Sequence, residues 1–567
     1  MKFKNIETSD LPRIKSYIET VSCLHYVDFI PQILYIYKDK YNYSYAIEND
    51  SLFIRFINPI NKEFVFYAPI GGDFVSSFNL LLEFIETNNL KKQIYIVAQE
   101  QINLINKDIL NLFDIFNDRD NANYLYSVSE LRELKGNKFN SKRRLVNNFI
   151  KQYDGDFKIE KIDLNDLDNL LTYVDKWQIT SHENSIDVDY EKQVVLKLIK
   201  NSEVLQSFGI KFLLKNELVG FTLGCFFEDQ FVQNFEKLDH SIHGLYQIST
   251  HFLSTLIEDP NIKYINKEDD VGLYGLRKSK LSYHPIELIE PKLLIAKSYQ
   301  NITISVDYNI NEIANLFFNS FADDDFNNFF FQNEMYKLFD IETLRLNNEL
   351  ASVKYTLLLK SSIGTDVNYY FGLSTKDKFR NHGYMKKLIY HDIRKNNFLL
   401  LESEDLFAFY SNVGYKKYNS FINQKYGVKT HNDDYQKYTI REATLGDLDK
   451  LNEIYEENLV KTNHIIRSNK LWEKLFTQYE KCNDKVYILL DLNKNTIGYA
   501  FTQIKGNFIQ EIFTKEDKDL SYLIQTILYK LEINNIKINF FSKENSNQYF
   551  MGYQWELSDC YINMLFN

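Results

Sequence analysis

Four times along the chain a short strand-like run gives way to a segment with apolar residues three and four apart, the mark of a strand followed by a helix packed on one face. The copies open near Phe3, Phe157, Ile302 and Tyr438. Asp10, Asp166, Asn311 and Asp447 stand near the helix starts, where a short polar side chain suits an N-cap. The interval between copies is one small domain, well beyond the roughly 20–50 residues of solenoid repeats. Later in the lobes, paired strand-like runs joined by polar turns, at Lys211 to Gly224 and Val486 to Ile504, read as hairpins. An apolar helix and another strand follow each. The predicted order per lobe is β, α, β-hairpin, β, α, β, so the expected fold class is α/β, mixed α+β. The lobes are expected as two tandem pairs, 1–150 with 151–298 and 299–436 with 437–567. FYSNVGY at Phe409 to Tyr415 echoes YFMGY at Tyr549 to Tyr553, which predicts equivalent places after the second helix of the last two lobes.

Composition narrows the class. With 44% hydrophobic and 16% aromatic residues in 567, the chain has ample material for several packed cores. Cys23, Cys225, Cys482 and Cys560 form no CxxC pair or Cys/His cluster, so reduced thiols and no metal site are expected. The first residues lack a signal-peptide core, and no stretch reaches the roughly 18 apolar residues of a membrane span; a cytoplasmic location is the expectation. A net charge of −11 opposes general attraction to nucleic acid and suits an amine substrate.

The most informative segment is YYFGLSTKDKFRNHGYMKKLIYHDI, Tyr369 to Ile393. It reads as a strand, a turn from Arg380 to Gly383 and a helix carrying Met385, Leu388 and Ile389. Glycine at a helix start lets an anion approach unsatisfied backbone N–H groups at the positive end of the helix dipole. Arg380 would close over such an anion. The run Arg380-Asn381-His382-Gly383-Tyr384-Met385 resembles motif A of the GNAT family, with Met385 replacing a small residue. The resemblance implies an acetyl-coenzyme A site in which Leu373, Ser374 and Thr375 line the pantetheine and Arg380 to Lys386, thus Asn381, His382, Gly383, Tyr384, Met385 and Lys386, surround the pyrophosphate. The following segment, Phe398 to Tyr418, resembles motif B, which implies that Tyr410 protonates the departing thiolate; as a residue it reads equally as a core aromatic.

Ile302 to Asn567 resembles the paired GNAT lobes of the enhanced-intracellular-survival acetyltransferases, in which one active lobe precedes a degenerate one. In the fourth lobe the helix start reads FTKEDKDL, with acidic residues where phosphate would sit and no glycine, so it is expected not to bind coenzyme A. The resemblance assigns no general base here.

The first half carries a second signature. LYSVSELRELKGNKFNSKRRLVNNF at Leu125 to Phe149, NFEKLDHSIHGLYQ at Asn234 to Gln247 and YINKEDDVGLYGLRKSKLSYHP at Tyr264 to Pro285 resemble the phosphatidylglycerol lysyltransferase C-terminal family. That implies two further GNAT-like lobes and, from the family, aminoacyl transfer from tRNA. Glu236, Lys237, Gly244, Glu268, Asp269, Arg277 and Lys280 are the candidate substrate residues, a mixture of charges fit to grip a zwitterion or to brace a lobe interface. His240, His243 and His251 lack zinc-motif spacing. The basic run Lys135 to Arg144 is a candidate contact for tRNA or a solvated helix start. The leading expectation is an acetyl-coenzyme A dependent N-acetyltransferase acting on a small-molecule amine; the alternatives are an aminoacyl transferase using tRNA-borne donors and a non-catalytic ligand-binding scaffold.

Overall fold

The computed structural model describes the chain except residues 21–24, 182–187, 308, 401–405, 429–437, 542–547, 558–559 and 565–567. Cys23 and residues 401–405 of the Phe398 to Tyr418 segment therefore lie outside the described residues. The fold is mixed α+β. The chain divides into two compact units, one of Met1–Ile302 with Leu346–Glu349 and one of Thr303–Arg345 with Leu350–Asn567.

Among the described residues the first unit holds two seven-stranded sheets, and neither follows chain order. The late strand Lys292–Ala296 is inserted between Gln93–Ile96 and Phe113–Asn117 of the first sheet, antiparallel to both. In exchange, Asn123–Ser127 lies between Tyr264–Asn266 and Glu287–Ile289 of the second sheet. Each sheet is thereby stitched to the other lobe's sequence. Strand alternation sends Phe53, Phe66, Ile94 and Leu294 into one core with the helix Phe74–Thr87, and Tyr124, Phe212, Phe231 and Ile265 into another with Leu245–Leu256.

The second unit is built on one thirteen-stranded sheet. Lys416–Gly427 is inserted between Gln548–Tyr553 and Asn535–Phe541, the same kind of exchange. Both predicted hairpins are present, as Ser207–Leu214 with Glu217–Phe227 and Lys485–Leu490 with Thr496–Gln503.

Two details differ from the sequence reading. Asp10 and Asp447 do stand at the N-cap positions of Leu11–Ile18 and Leu448–Leu459, but their side chains do not cap those helices; Asp10, Asp166 and Asp447 are each the third residue of a short 3-10 turn, and the carboxylate accepts from the backbone N–H three residues back, of Glu7, Asp163 and Thr444 at 3.0, 3.0 and 2.7 Å. This is a capping box with Asp as its closing residue. The third lobe lacks it: its helix Ile310–Ser320 starts after Asn309, and Asn311 is inside it. The echo between FYSNVGY and YFMGY is not structural either. Tyr410 lies in the helix Phe407–Asn412, whereas Tyr549 to Tyr553 lie in the strand Gln548–Tyr553, held extended by ladders on both edges.

Candidate functional site

Each lobe contains a strand, a loop and a helix, with the strand paired in parallel to the strand after the helix, and the helix starts differ. Asp73 caps Phe74–Thr87, accepting from Ser76 N at 2.9 Å. Glu516 precedes Asp517–Lys530, whose first turn adds Asp517 and Asp519. An anion at these two starts would meet carboxylates. Gly244 and Gly383, by contrast, are left-handed N-caps, at φ +89° and +76°, a conformation that strains any residue with a Cβ. A Cβ on Gly383 would meet nothing within 4 Å. The helix start there is open.

The strand before Gly383, Asp366–Thr375, pairs with Asn397–Leu400 only through Asn368 and Tyr369. Beyond Tyr369 no described strand pairs with that edge. Leu373, Met385 and Tyr410 meet in one apolar cluster with Tyr370, Ile389 and Leu399. Burial raises the Tyr410 phenol well above its usual range. Thr375 Oγ1 hydrogen-bonds Ser352 Oγ at 2.9 Å, and Ser374 is buried. Arg380 is exposed, pairs with Asp377 at 2.9 Å and donates to the Thr375 carbonyl. Asn381 is left-handed at φ +66°, His382 stacks on Tyr384, and Lys386 is exposed. The fourth lobe's equivalent edge is filled: Asn563 donates to the Gln510 carbonyl at 2.9 Å, and buried Arg467 pairs with Glu511 at 2.8 and 2.7 Å.

In the first unit the corresponding edge lies beyond Val232, where Gln230–Leu238 parts from Tyr264–Asn266. One branch is closed by an ionic chain in which Lys267 donates to Thr250 at 2.9 Å and meets Glu236 at 3.4 Å, while Glu236 accepts from Ser249. On the other branch the loop after Asn266 carries Glu268 and Asp269. Glu268 and Val271 are both left-handed, at φ +55° and +44°, the latter a genuine outlier for a β-branched residue and the kind of strain stored at binding loops.

Asp270, fully buried between them, anchors the loop. It accepts from Tyr124, Arg119 and Arg277, and Arg277 also reaches Asp120 at 2.8 Å. Lys280 donates to the carbonyls of Lys267 and Asp269, bracing the same turn. Arg277 and Lys280 thus hold the loop in shape, and Lys237 lies over Trp177 at 3.8 Å and pairs with Glu191 at 2.9 Å.

Glu268 and Asp269 themselves lie within reach of Asp28, Tyr37 and Tyr41 of the other lobe. Both keep some solvent contact, yet the protein packed around them penalises their charge. That desolvation, with the charges of Asp269 and Asp28, raises Glu268, and with those of Asp28 and Asp270 it lifts Asp269 to about 7. Asp28 is itself raised by burial while accepting from Tyr67 at 2.6 Å and Tyr26 at 3.2 Å. Tyr37 and Tyr41 are within the field of these carboxylates, and Tyr37 stacks on Tyr190 at 6.4 Å. Two buried oxygens of the cluster, Glu191 Oε2 and Asn234 Oδ1, receive no hydrogen bond from any described residue. A place with raised carboxyls, aromatic walls and acceptors lacking donors suits an ammonium group. Asp28, Glu191 and Asn234 were not singled out from sequence; the signal for Asp28 was a lone acid inside the apolar run Tyr26 to Ile30.

The basic run is mostly engaged locally. Lys138 binds Glu130, Lys142 donates to Ser282 at 2.7 Å, and Arg143 reaches the Leu134 carbonyl. Among the described residues no group of three His, Cys, Asp or Glu is disposed to hold a metal.

Residues 32–295 match the family model described as phosphatidylglycerol lysyltransferase, C-terminal. The matched stretch contains Glu191, Asn234, Glu268 and Asp269 but not Asp28. A curated relative, an uncharacterised protein of Mycoplasmoides gallisepticum, is 28% identical over 183 residues, which are 30% of this chain and 56% of that protein. The match therefore spans just over half of that relative's length. A conserved protein of unknown function from Bacteroides thetaiotaomicron is 25% identical, covering 52% of this chain and 100% of its own, at a TM-score of 0.48. L-PGS from Bacillus licheniformis is 12% identical over 50% of this chain and 91% of its own, at a TM-score of 0.36. A GCN5-related N-acetyltransferase from Anabaena variabilis is 15% identical over 44% of this chain and 72% of its own, at a TM-score of 0.33.

Proposed function

We propose that the first unit is an aminoacyl transferase whose acidic cluster takes the cationic aminoacyl group of an activated ester, of the kind carried on tRNA. The observation that carries this is a pair of buried oxygens, Glu191 Oε2 and Asn234 Oδ1, that accept from no described residue, beside Glu268, Asp269 and Asp28. An ammonium supplies the missing donors and neutralises the carboxyls, which makes bound substrate more favourable than the empty site. In the reaction an acceptor nucleophile attacks the ester carbonyl, the ester C–O bond breaks, and the acceptor's proton passes to the leaving hydroxyl. The match over residues 32–295 supports the same chemistry. The test is deacylation of lysyl-tRNA and alanyl-tRNA by the full chain; no turnover of either, with any acceptor, sinks the reading.

A second reading concerns the second unit. The left-handed Gly383 at an open helix start, the edge beyond Tyr369 that no described strand pairs with, and the Leu373–Met385–Tyr410 cluster support acyl-coenzyme A binding. Coenzyme A would supply a thioester there; Gly383 and the following amides would hold its pyrophosphate, and Tyr410 would return a proton to the thiolate. An amine would be the acceptor, giving N-acetylation. Calorimetry with acetyl-coenzyme A tests it, and absence of heat at high ligand concentration overturns it.

A further inference from the structure

At the end of the second unit's sheet away from Thr375 lies a cleft of about 370 Å³, within the roughly 300–1,000 Å³ of small-molecule sites. Lys395 lines it just before the strand Asn397–Leu400, Lys416 and Tyr418 at the start of Lys416–Gly427, and Gln554, Trp555 and Glu556 after Gln548–Tyr553. Asn397 pairs with Asn368, seven residues before Thr375. At about 3.3 Å per residue, the cleft is thus roughly 20 Å along the strand from the candidate coenzyme A site.

The backbone sets its shape. Asn396 and Gln554, on facing segments, are both left-handed, at φ +50° and +44°; glutamine is uncommon there, and strain of this kind gathers at binding loops. The Glu556 N–H donates to Asn396 Oδ1 at 2.9 Å, joining the two segments. Gly552 lets Trp555 fold back on the sheet, since a Cβ at 552 would come within 2.9 Å of Trp555 and 3.1 Å of Tyr418.

The side chains offer donors against an aromatic wall. Lys416 is exposed and forms no ion pair among the described residues. Trp555 is only 8% exposed, and its indole N–H, which can only donate, reaches no acceptor among the described residues. The Lys395 ammonium meets Glu556 at 3.4 Å, with both side chains about two-thirds exposed, and Glu556 is the one acid on the lining. Phe550 stacks on Tyr418 and meets Trp555 edge-on, each at 5.2 Å.

We propose that this cleft binds a small organic anion that joins a flat ring system to a carboxylate or phosphate. The acid group accepts from Lys416, Lys395 and Trp555, and the ring lies against Tyr418 and Trp555. A neutral ligand leaves the ammonium groups uncompensated, and a bare inorganic anion leaves the aromatic wall uncovered. The site is independent of both transfer readings, because none of its residues belongs to the acidic cluster of the first unit or to the Gly383 helix start.

The test is calorimetry of the full chain with adenosine 5′-monophosphate and with benzoate, against adenosine and benzamide as uncharged controls. Binding of one or both anions is expected, the nucleotide alone assigning phosphate and benzoate alone assigning carboxylate. Lys416→Glu is expected to weaken it about tenfold or more at an unchanged urea midpoint. Trp555 is one of three tryptophans, and Trp177 and Trp472 are buried outside the cleft, so the bound anion is also expected to change a fluorescence signal that Trp555→Phe removes. No heat with either anion at millimolar concentration, affinity untouched by Lys416→Glu, or equal binding of the uncharged controls overturns the proposal. So does binding that Gly383→Val abolishes, which would place the anion at the coenzyme A helix start.

Discussion

Asn234 Nδ2 donates a 2.7 Å hydrogen bond to Glu268 Oε1, tying the strand Gln230–Leu238 to the strained loop that carries the acidic pair. The bond favours the charged form of a carboxyl that burial otherwise pushes towards neutrality. Asn234→Ala should therefore raise the Glu268 carboxyl further and weaken binding of L-lysinamide several-fold at neutral pH. Calorimetry against the wild type checks this.

Removing charge from the pair separates recognition from folding. Glu268→Gln or Asp269→Asn should lower affinity for L-lysinamide by roughly 10–100-fold, the value of about 1.5–3 kcal/mol for a charge-assisted hydrogen bond. Denaturant stability of the empty protein should hold or rise, because a repulsive, desolvated charge has gone. A loss of stability equal to the loss of affinity would count against a binding role.

Proton linkage gives opposite signs for ligand and fold. Asp269 sits at about 7 in the folded chain against an ordinary carboxyl value of 3.8. Its contribution to stability is thus complete below the ordinary range and is lost as pH rises through about 7. Cation binding needs the carboxylate, so affinity for L-lysinamide should tighten from about pH 6 to about pH 8, with proton release on binding. Calorimetry in buffers of different ionisation heat reads that release.

The two glycine helix starts invite a substitution that spares the fold. Gly383→Val should cost about 1–2 kcal/mol for the left-handed backbone, since its Cβ meets no neighbour. Coenzyme A binding, if the second unit has it, should fall by an order of magnitude or more. Undiminished binding would remove the pyrophosphate from this helix start.

Buried Arg467 and Glu511, bridged through both oxygens and joined by Tyr499 and Tyr561, form the costliest pair to break. Arg467→Ala should destabilise the second unit by about 3–5 kcal/mol, whereas Arg467→Met with Glu511→Leu should lose far less, because no orphaned charge remains. Urea unfolding of both variants decides.

Much of the fold was written in local pattern. The strand, loop and helix around Gly383 and the acidic helix start of the fourth lobe follow from periodicity and from residues whose backbone preferences are strong. The acidic cluster was half legible: Glu268 and Asp269 stand out as an acidic pair, but Asp28 and Glu191 join them only through packing of distant segments. Arg277 and Lys280 were candidate substrate groups because sequence shows charge without direction; in the structure Arg277 bonds Asp270 and Asp120, and Lys280 donates to backbone carbonyls. The likeness of FYSNVGY to YFMGY misled because tyrosine and glycine serve a helix end and a strand equally well.

The insertion of Lys292–Ala296 between two strands of the first sheet has a consequence for synthesis. As the chain leaves the ribosome, residues 93–117 supply both flanks of a gap that stays unfilled until nearly 180 further residues have emerged. Long-range closure of that kind slows folding and leaves edges bare in the interval. The first two lobes therefore mature together, and the nascent first lobe is the stretch of this protein most in need of a chaperone.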